Sequence, residues 1–269
     1  GLWHKSRRPS GGTKLTYLEE RSDPAPGSQL LSFFDTTRTR TEQLVAPLSD
    51  EDMGLQSMED ASPPKWHLAH TSWFFETFVL KPYQPDYIPA DPRWDYLFNS
   101  YYDTVGPRQP RPQRGLLSRP PMADVAAWRQ RVNQALKTLL TDHAGGPWQE
   151  LVELGLQHEQ QHQELMLMDL LDGFSRQPLE PAYCEDWCEQ DEDLPASGPT
   201  GADDPYGPWL HSQGGLVEVG HQGNGFHFDN EGPRHRTWLD PFAIADRLAQ
   251  PEHAWRPFAR DGLRRLFYG

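Results

Sequence analysis

The chain has 269 residues, with 25 Lys and Arg against 39 Asp and Glu, a formal net charge of −14. That length admits one large domain or two small ones and buries a core without staples. The acidic balance lacks the cationic footprint of a sequence-independent nucleic-acid binder, no run approaches the ~18 apolar residues of a membrane span, and the two cysteines, Cys184 and Cys188, cannot build a disulfide framework, which points to a reducing, cytoplasmic setting.

Residues 1–27 are polar and rich in Gly and Pro, read as a flexible lead, and contain no apolar stretch of a secretory signal. The missing initiator Met reads as a processed or partial chain. Leu30, Phe33, Phe34, Thr37, Thr41, Leu44 and Val45 recur near a 3.6-residue period and predict a helix over 28–47. Ser62 as N-cap and Pro63 at the first helical position open a second helix. Its stripe is Trp66, His70, Trp73, Thr77 and Leu80, and Pro82 ends it. Residues 81–117 form a connection rich in Pro, Arg and Tyr; a loop this long is functional or disordered, and its aromatic residues favour order. A third helix over 120–142 presents Val125, Trp128, Val132, Leu136 and Leu139, and a fourth runs from 148 to 172 before Gly173. Four such helices, over 28–173, predict a mainly α chain built on a bundle. Residues 174–214 are acidic and rich in Pro and Gly and read as a linker. From Gly215 short alternating stretches between glycines predict strands and the start of an α+β domain over 215–269.

The chemistry concentrates in LGLQHEQQHQELMLMDLL. His158 and His162 stand four residues apart, one helical turn, on a stripe with Leu151, Leu154, Leu165 and Met168. Imidazoles on an inward stripe cost free energy unless each finds a partner, and a metal ion is one such partner. His70 repeats the pattern on the second helix between Trp66 and Trp73, although on spacing alone His67 competes for the third position. Hydrogen-bonded core histidines are the bland alternative. Gln161 is expected to face inward, as a structural amide or a donor to a substrate ring. Glu159 and Glu164 are expected outside the ligands or at the surface. Tyr101 and Tyr102 either plug the long loop or deliver a proton or electron near an oxygen-activating metal. Arg108, Arg111, Arg114 and Arg119 either solvate the surface or grip a carboxylate in two-point fashion. Cys184 and Cys188 lack the second pair that a metal or redox site would need.

Together WHLAHTSWFFETFVL, FNSYYDTVGPRQPRPQRGLLSRP and LGLQHEQQHQELMLMDLL resemble the ergothioneine-biosynthesis sulfoxide synthases, the EgtB-type hercynine oxygenases. GLVEVGHQGNGFHFDNEGPRHRTWLDPFAIADR resembles the start of their second domain, which is similar to the formylglycine-generating-enzyme/sulfatase-modifying fold. The resemblance covers about residues 28–247. It implies a DinB-like four-helix bundle, then the partial start of that α+β domain. It implies a mononuclear Fe(II) on His70, His158 and His162, with O2 as co-substrate. It implies Gln161 on the imidazole of hercynine, Nα-trimethylhistidine, Tyr101 and Tyr102 as active-site tyrosines, and Arg108 and Arg111 near the carboxylate of the thiol substrate, cysteine or γ-glutamylcysteine. The implied reaction joins the thiol sulfur to the imidazole carbon and oxidises it to a sulfoxide. Members of the family continue well past the point where this sequence stops, so a C-terminally truncated form of reduced or no activity is expected. An ovothiol- or selenoneine-type synthase, a DinB-like metal-dependent thiol transferase and a non-catalytic metal-binding module remain alternatives, because three imidazoles also suit Zn, Cu or Ni.

Overall fold

A computed structural model describes residues 26–100, 106–142, 145–183 and 209–245. The chain divides into two compact units, Gly1–Glu185 and Asp186–Gly269. The first unit is helical: α1 (Pro26–Val45), α2 (Pro64–Phe75), α3 (Lys81–Tyr83), α4 (Arg93–Phe98), α5 (Met122–Asp142) and α6 (Gln149–Ser175). α2 packs on both α5 and α6, and α1 closes against the same two helices.

The central position of α2 decides its burial. Every residue except Lys65 is buried, so the helix is apolar all round rather than amphipathic. The single stripe expected from its sequence is therefore only part of its packed surface. Its start also differs from expectation. Pro63 is the N-cap and makes no side-chain cap hydrogen bond. Ser62 instead donates its backbone N–H to Asp169 Oδ2 at 2.8 Å and accepts from Arg114 Nη1 at 2.9 Å. Nor does Pro82 end the helix: a π-helical segment, Glu76–Leu80, leads into α3, which carries Pro82 in its first turn, where a missing N–H is tolerated.

The long connection after Pro82 is tied down by polar contacts. Glu76, buried on the π-helical segment, accepts from Tyr87 Oη (2.5 Å), Trp128 Nε1 (2.8 Å) and the backbone N–H of Ala90 (3.2 Å). α4 follows, and a 3-10 turn, Arg111–Leu116, brings the chain back to α5. On α5 the five expected core residues, Val125, Trp128, Val132, Leu136 and Leu139, are all buried.

On α6 the buried face is rotated from the expected one. Val152, Gly155, Leu156, Glu159, Met166 and Leu170 are buried, whereas Leu165 and Met168 are 45% and 65% exposed. The reason is a buried ion network. Glu159 meets Arg38 Nη1 at 2.9 Å, Arg129 Nη2 at 2.6 Å and Thr41 Oγ1 at 2.6 Å. Arg38 also donates to Asn133 Oδ1 at 2.6 Å. Burial alone would push the Glu159 carboxyl up, but the Arg129 and Arg38 guanidinium groups hold it at about 2. Gly155 lets the helices approach: a Cβ there would lie 2.5 Å from Phe75 Cε1 and 2.7 Å from Phe74 Cε1.

The described part of the second unit is two antiparallel ribbons. β1 (Trp209–Ser212) pairs with β4 (Phe242–Ala245), and β2 (Gly215–Val219) pairs with β3 (His235–Leu239). The strands begin at Trp209, six residues before Gly215 and inside the stretch expected to be a linker, because β1 finds its partner in the distant β4, which no local alternation records. No helix among the described residues is long and apolar enough to cross a membrane.

Candidate metal centre

α2 and α6 bring His70, His158 and His162 together, with one nitrogen of each ring within 4.8 Å of the others. His158 Nε2 lies 3.3 Å from His70 Nε2 and 3.0 Å from His162 Nε2. Three nitrogens that crowd one point repel unless a proton or a cation sits among them.

The surroundings set the ring states. His70 Nδ1 is 2.6 Å from the carbonyl oxygen of Phe98. A carbonyl only accepts, so Nδ1 carries the proton and Nε2 presents its lone pair inward. Burial holds His158 down at about 4. His70 is pushed well below the ordinary imidazole range by burial and then by His158, and His162 by burial and then by His70 and His67. The rings are therefore neutral at pH 7, the state in which imidazole binds a metal. His158 Nδ1 is buried without a hydrogen-bond partner among the described residues. Three neutral nitrogen donors that converge from two rigid helices fit a first-row divalent ion.

His70 is clamped in a column of flat groups. Trp66 stacks on it at 4.6 Å and 11°, and Trp73 lies on the other side at 5.6 Å and 18°. Arg114, only 4% exposed, places its guanidinium carbon 3.4 Å from the centre of the Trp66 ring. α4 locks the column: Trp66 Nε1 donates to Leu97 O at 3.0 Å and Trp73 Nε1 to Asp95 Oδ1 at 3.1 Å. Burial, then the neighbouring Arg111 and Arg108, pull Arg114 down to about 9.

A cavity of about 410 Å³ opens on this centre, lined by Trp66, His67, Ser100, Arg111, Arg114, His158, Gln161 and His162 among others. A neighbouring cavity of about 590 Å³ shares Ser100, Arg111 and Arg114 and adds Arg108. Arg108 and Arg111 thus border the space beside the histidines. Gln161 lines the same cavity but is exposed, not inward, because the buried face of α6 is centred on Glu159. Glu159 in turn is fully buried rather than at the surface. Arg114 is stacked and buried rather than solvated. Tyr101 and Tyr102 lie outside the described residues, as do Cys184 and Cys188.

His67, the competitor for the third position, stands beside the group rather than in it, with Nδ1 2.8 Å from His162 Nδ1. Asp169 and the carbonyl of Phe98 escaped the sequence reading. Asp169 falls on the rotated face of α6, eleven residues from His158 and three turns along the same helix. A backbone carbonyl leaves no mark in side-chain periodicity.

No curated protein matches the chain. Residues 34–166, a span that includes all three histidines, match the family model described as the DinB superfamily. The part of the helical unit that carries His70, His158 and His162 is thus similar to the DinB superfamily.

Proposed function

We propose that the chain is a non-haem Fe(II)- and O2-dependent sulfoxide synthase, or the histidine-bearing part of one, that couples hercynine to a cysteine-type thiol in ergothioneine biosynthesis. The observation that carries this reading is the convergence of three neutral imidazole nitrogens from two helices beside a cavity bordered by arginines. His70, His158 and His162 hold the iron, which when bound supplies the activation of dioxygen. Three neutral protein ligands differ from the common two-histidine, one-carboxylate set and leave charge balance to the substrates.

The rest of the reading concerns what the protein's own groups do. Gln161, on the cavity wall one turn from His158, hydrogen-bonds the imidazole of hercynine. Arg108 and Arg111 take the carboxylate of cysteine or γ-glutamylcysteine, since a guanidinium matches a carboxylate in two-point geometry. Tyr101 and Tyr102 follow Ser100, which lines the cavity, and supply a proton near the reacting oxygen. Residues 28–173 form a four-helix bundle of DinB type, a linker follows as far as β1 at Trp209, and the chain from there to 269 is the start of a formylglycine-generating-enzyme-like domain. The chain works in the cytoplasm on small molecules, without nucleic acid or membrane.

The test is an anaerobic Fe(II) titration with hercynine and each thiol, followed by O2 and mass spectrometry. A hercynine-thiol sulfoxide is expected, and wild-type chain loaded with Fe(II) that gives none rejects the activity for this chain. Histidine and a selenium donor in parallel separate the ovothiol- and selenoneine-type alternatives. The all-nitrogen donor set also favours a second reading, a zinc- or nickel-dependent thiol transferase of DinB type, or a metal-binding module without turnover. Metal content after purification under argon separates these from the iron reading.

A further inference from the structure

We infer that His67, oriented by Asp169, is a positioning residue that selects the tautomer of His162 and so presents its Nε2 lone pair to the shared point of the three histidines. The inference rests on the metal reading of that trio and names two residues that hold no ion themselves.

The argument starts from a contact between two nitrogens. His67 Nδ1 and His162 Nδ1 are 2.8 Å apart. His67 is 3% exposed and packs against the His162 ring at 5.1 Å between ring centres, a setting that disfavours an added charge and leaves both rings neutral. Two neutral imidazoles share such a contact only when one nitrogen carries the proton and the other accepts it. Two arrangements satisfy this. In the first, His162 donates from Nδ1, and its Nε2 is a bare lone pair 3.0 Å from His158 Nε2. In the second, His67 donates from Nδ1, and His162 carries its proton on Nε2, pointing into the trio and blocking a ligand position.

Asp169 breaks the tie. Its Oδ2 lies 3.5 Å from His67 Nε2, an electrostatic contact rather than a hydrogen bond, and His67 is only 3% exposed. In the second arrangement the bare Nε2 lone pair of His67 would face a carboxylate in a buried place, which is repulsive. In the first, Nε2–H faces the carboxylate. Asp169 is itself held by the N–H of Ser62 at 2.8 Å, which keeps this oxygen beside the ring. A proton on His67 Nε2 leaves Nδ1 to accept, and that makes His162 the donor. His70 reaches the same state more directly through the Phe98 carbonyl. The two helices thus use different devices for one end, a carbonyl on the α4 side and an Asp–His pair on the α6 side.

The test is Co(II) binding to the full chain, read by its visible absorption and by competition with a chelator, together with 15N NMR of the histidine rings without metal. Three variants are compared with wild type. His67→Phe removes the acceptor, His67→Asn restores an acceptor oxygen near Nδ1, and Asp169→Leu removes the carboxylate that faces His67 Nε2 at similar volume. Outer partners of ligating histidines commonly contribute about 10–100-fold in metal affinity. His67→Phe and Asp169→Leu are expected to lose affinity in that range, with His67→Asn close to wild type. Without metal, wild-type His162 is expected to carry its proton on Nδ1, and Asp169→Leu to shift it toward Nε2. If wild type and His67→Phe bind Co(II) equally well, or if His162 carries its proton on Nε2 in wild type, the inference is overturned while the metal reading stands. If wild type binds no Co(II), the metal reading itself fails and takes the inference with it. The ring spectra, read without metal, guard against variants that merely misfold: a folded His67→Phe keeps the His70 signals of the Nδ1-protonated form.

Discussion

At the scale of single residues, the centre is made by what stands behind the imidazoles. His70 is oriented by a carbonyl, pinned between two indoles and capped by a buried guanidinium stacked on one of them. Replacement of Arg114 by Gln removes the cation from the Trp66 face and leaves a looser column. Destabilisation of about 1–2 kcal/mol is expected, in line with a desolvated cation–π contact, and is measured by urea unfolding. His158→Ala removes one of the three convergent nitrogens, from a ring that packs beside Phe74. Co(II) retention through gel filtration is expected to vanish, while helical circular dichroism persists. A variant that still holds one equivalent of metal would show that His158 is not a ligand.

At the scale of elements, the position of α6 relative to α1, α2 and α5 decides where the histidines point. Two features hold it: the Glu159 network and the glycine contact at Gly155. Glu159→Gln leaves Arg38 and Arg129 buried without their shared counter-charge, and a loss of about 3–5 kcal/mol is expected in chemical denaturation. The same carboxylate sets an acid limit. Its folded pKa of about 2 lies below the ordinary 4.5, so its stabilisation is fully present above pH 4.5 and is lost as the pH falls toward 2. The pKa difference corresponds to about 3 kcal/mol. Equilibrium unfolding across that window, compared with Glu159→Gln, is expected to show the slope in wild type and its loss in the variant. Gly155→Ala would push a methyl into Phe74 and Phe75, whose rings have little room to retreat. A cost of about 1–3 kcal/mol is expected, with weaker Co(II) binding because His158 sits one turn further along the displaced helix.

At the scale of the whole molecule, the two units differ in what they can do alone. The helical unit has a continuous core from Phe34 to Met166 and its own buried ion network. The described ribbons of the second unit expose Leu210, Leu216, Trp238 and Ile244, and two-stranded ribbons are marginal by themselves in water. A polypeptide of residues 26–183 is therefore expected to melt cooperatively and to retain the ring tautomers of the full chain. A peptide of 209–245 is expected to give a coil spectrum. A non-cooperative melt for 26–183 would mean that its core needs the remainder of the chain.

Chain-local pattern alone determined much of this protein. The helix near 28–47, the core face of α5, the long helix around HEQQH and the strands that follow Gly215, though not β1 before it, are written in apolar period and glycine spacing, because those signals act within a few residues. The His158–His162 pair was legible for the same reason, as polar interruptions in an apolar run, whereas spacing alone left His67 and His70 in competition and the packed helices place His70 with the pair. Tertiary structure decided the rest. α2 is central, so its amphipathic stripe dissolves into burial on all sides. The inward face of α6 follows Glu159, because two arginines from other helices compensate a charge that no local rule would bury. Gln161 is moved to the cavity wall by that rotation, and Asp169 is carried against His67. Side-chain periodicity records how hydrophobic each position is, but not which distant charge or backbone carbonyl will meet it, and in this centre the Phe98 carbonyl meets His70 and the Asp169 carboxylate faces His67.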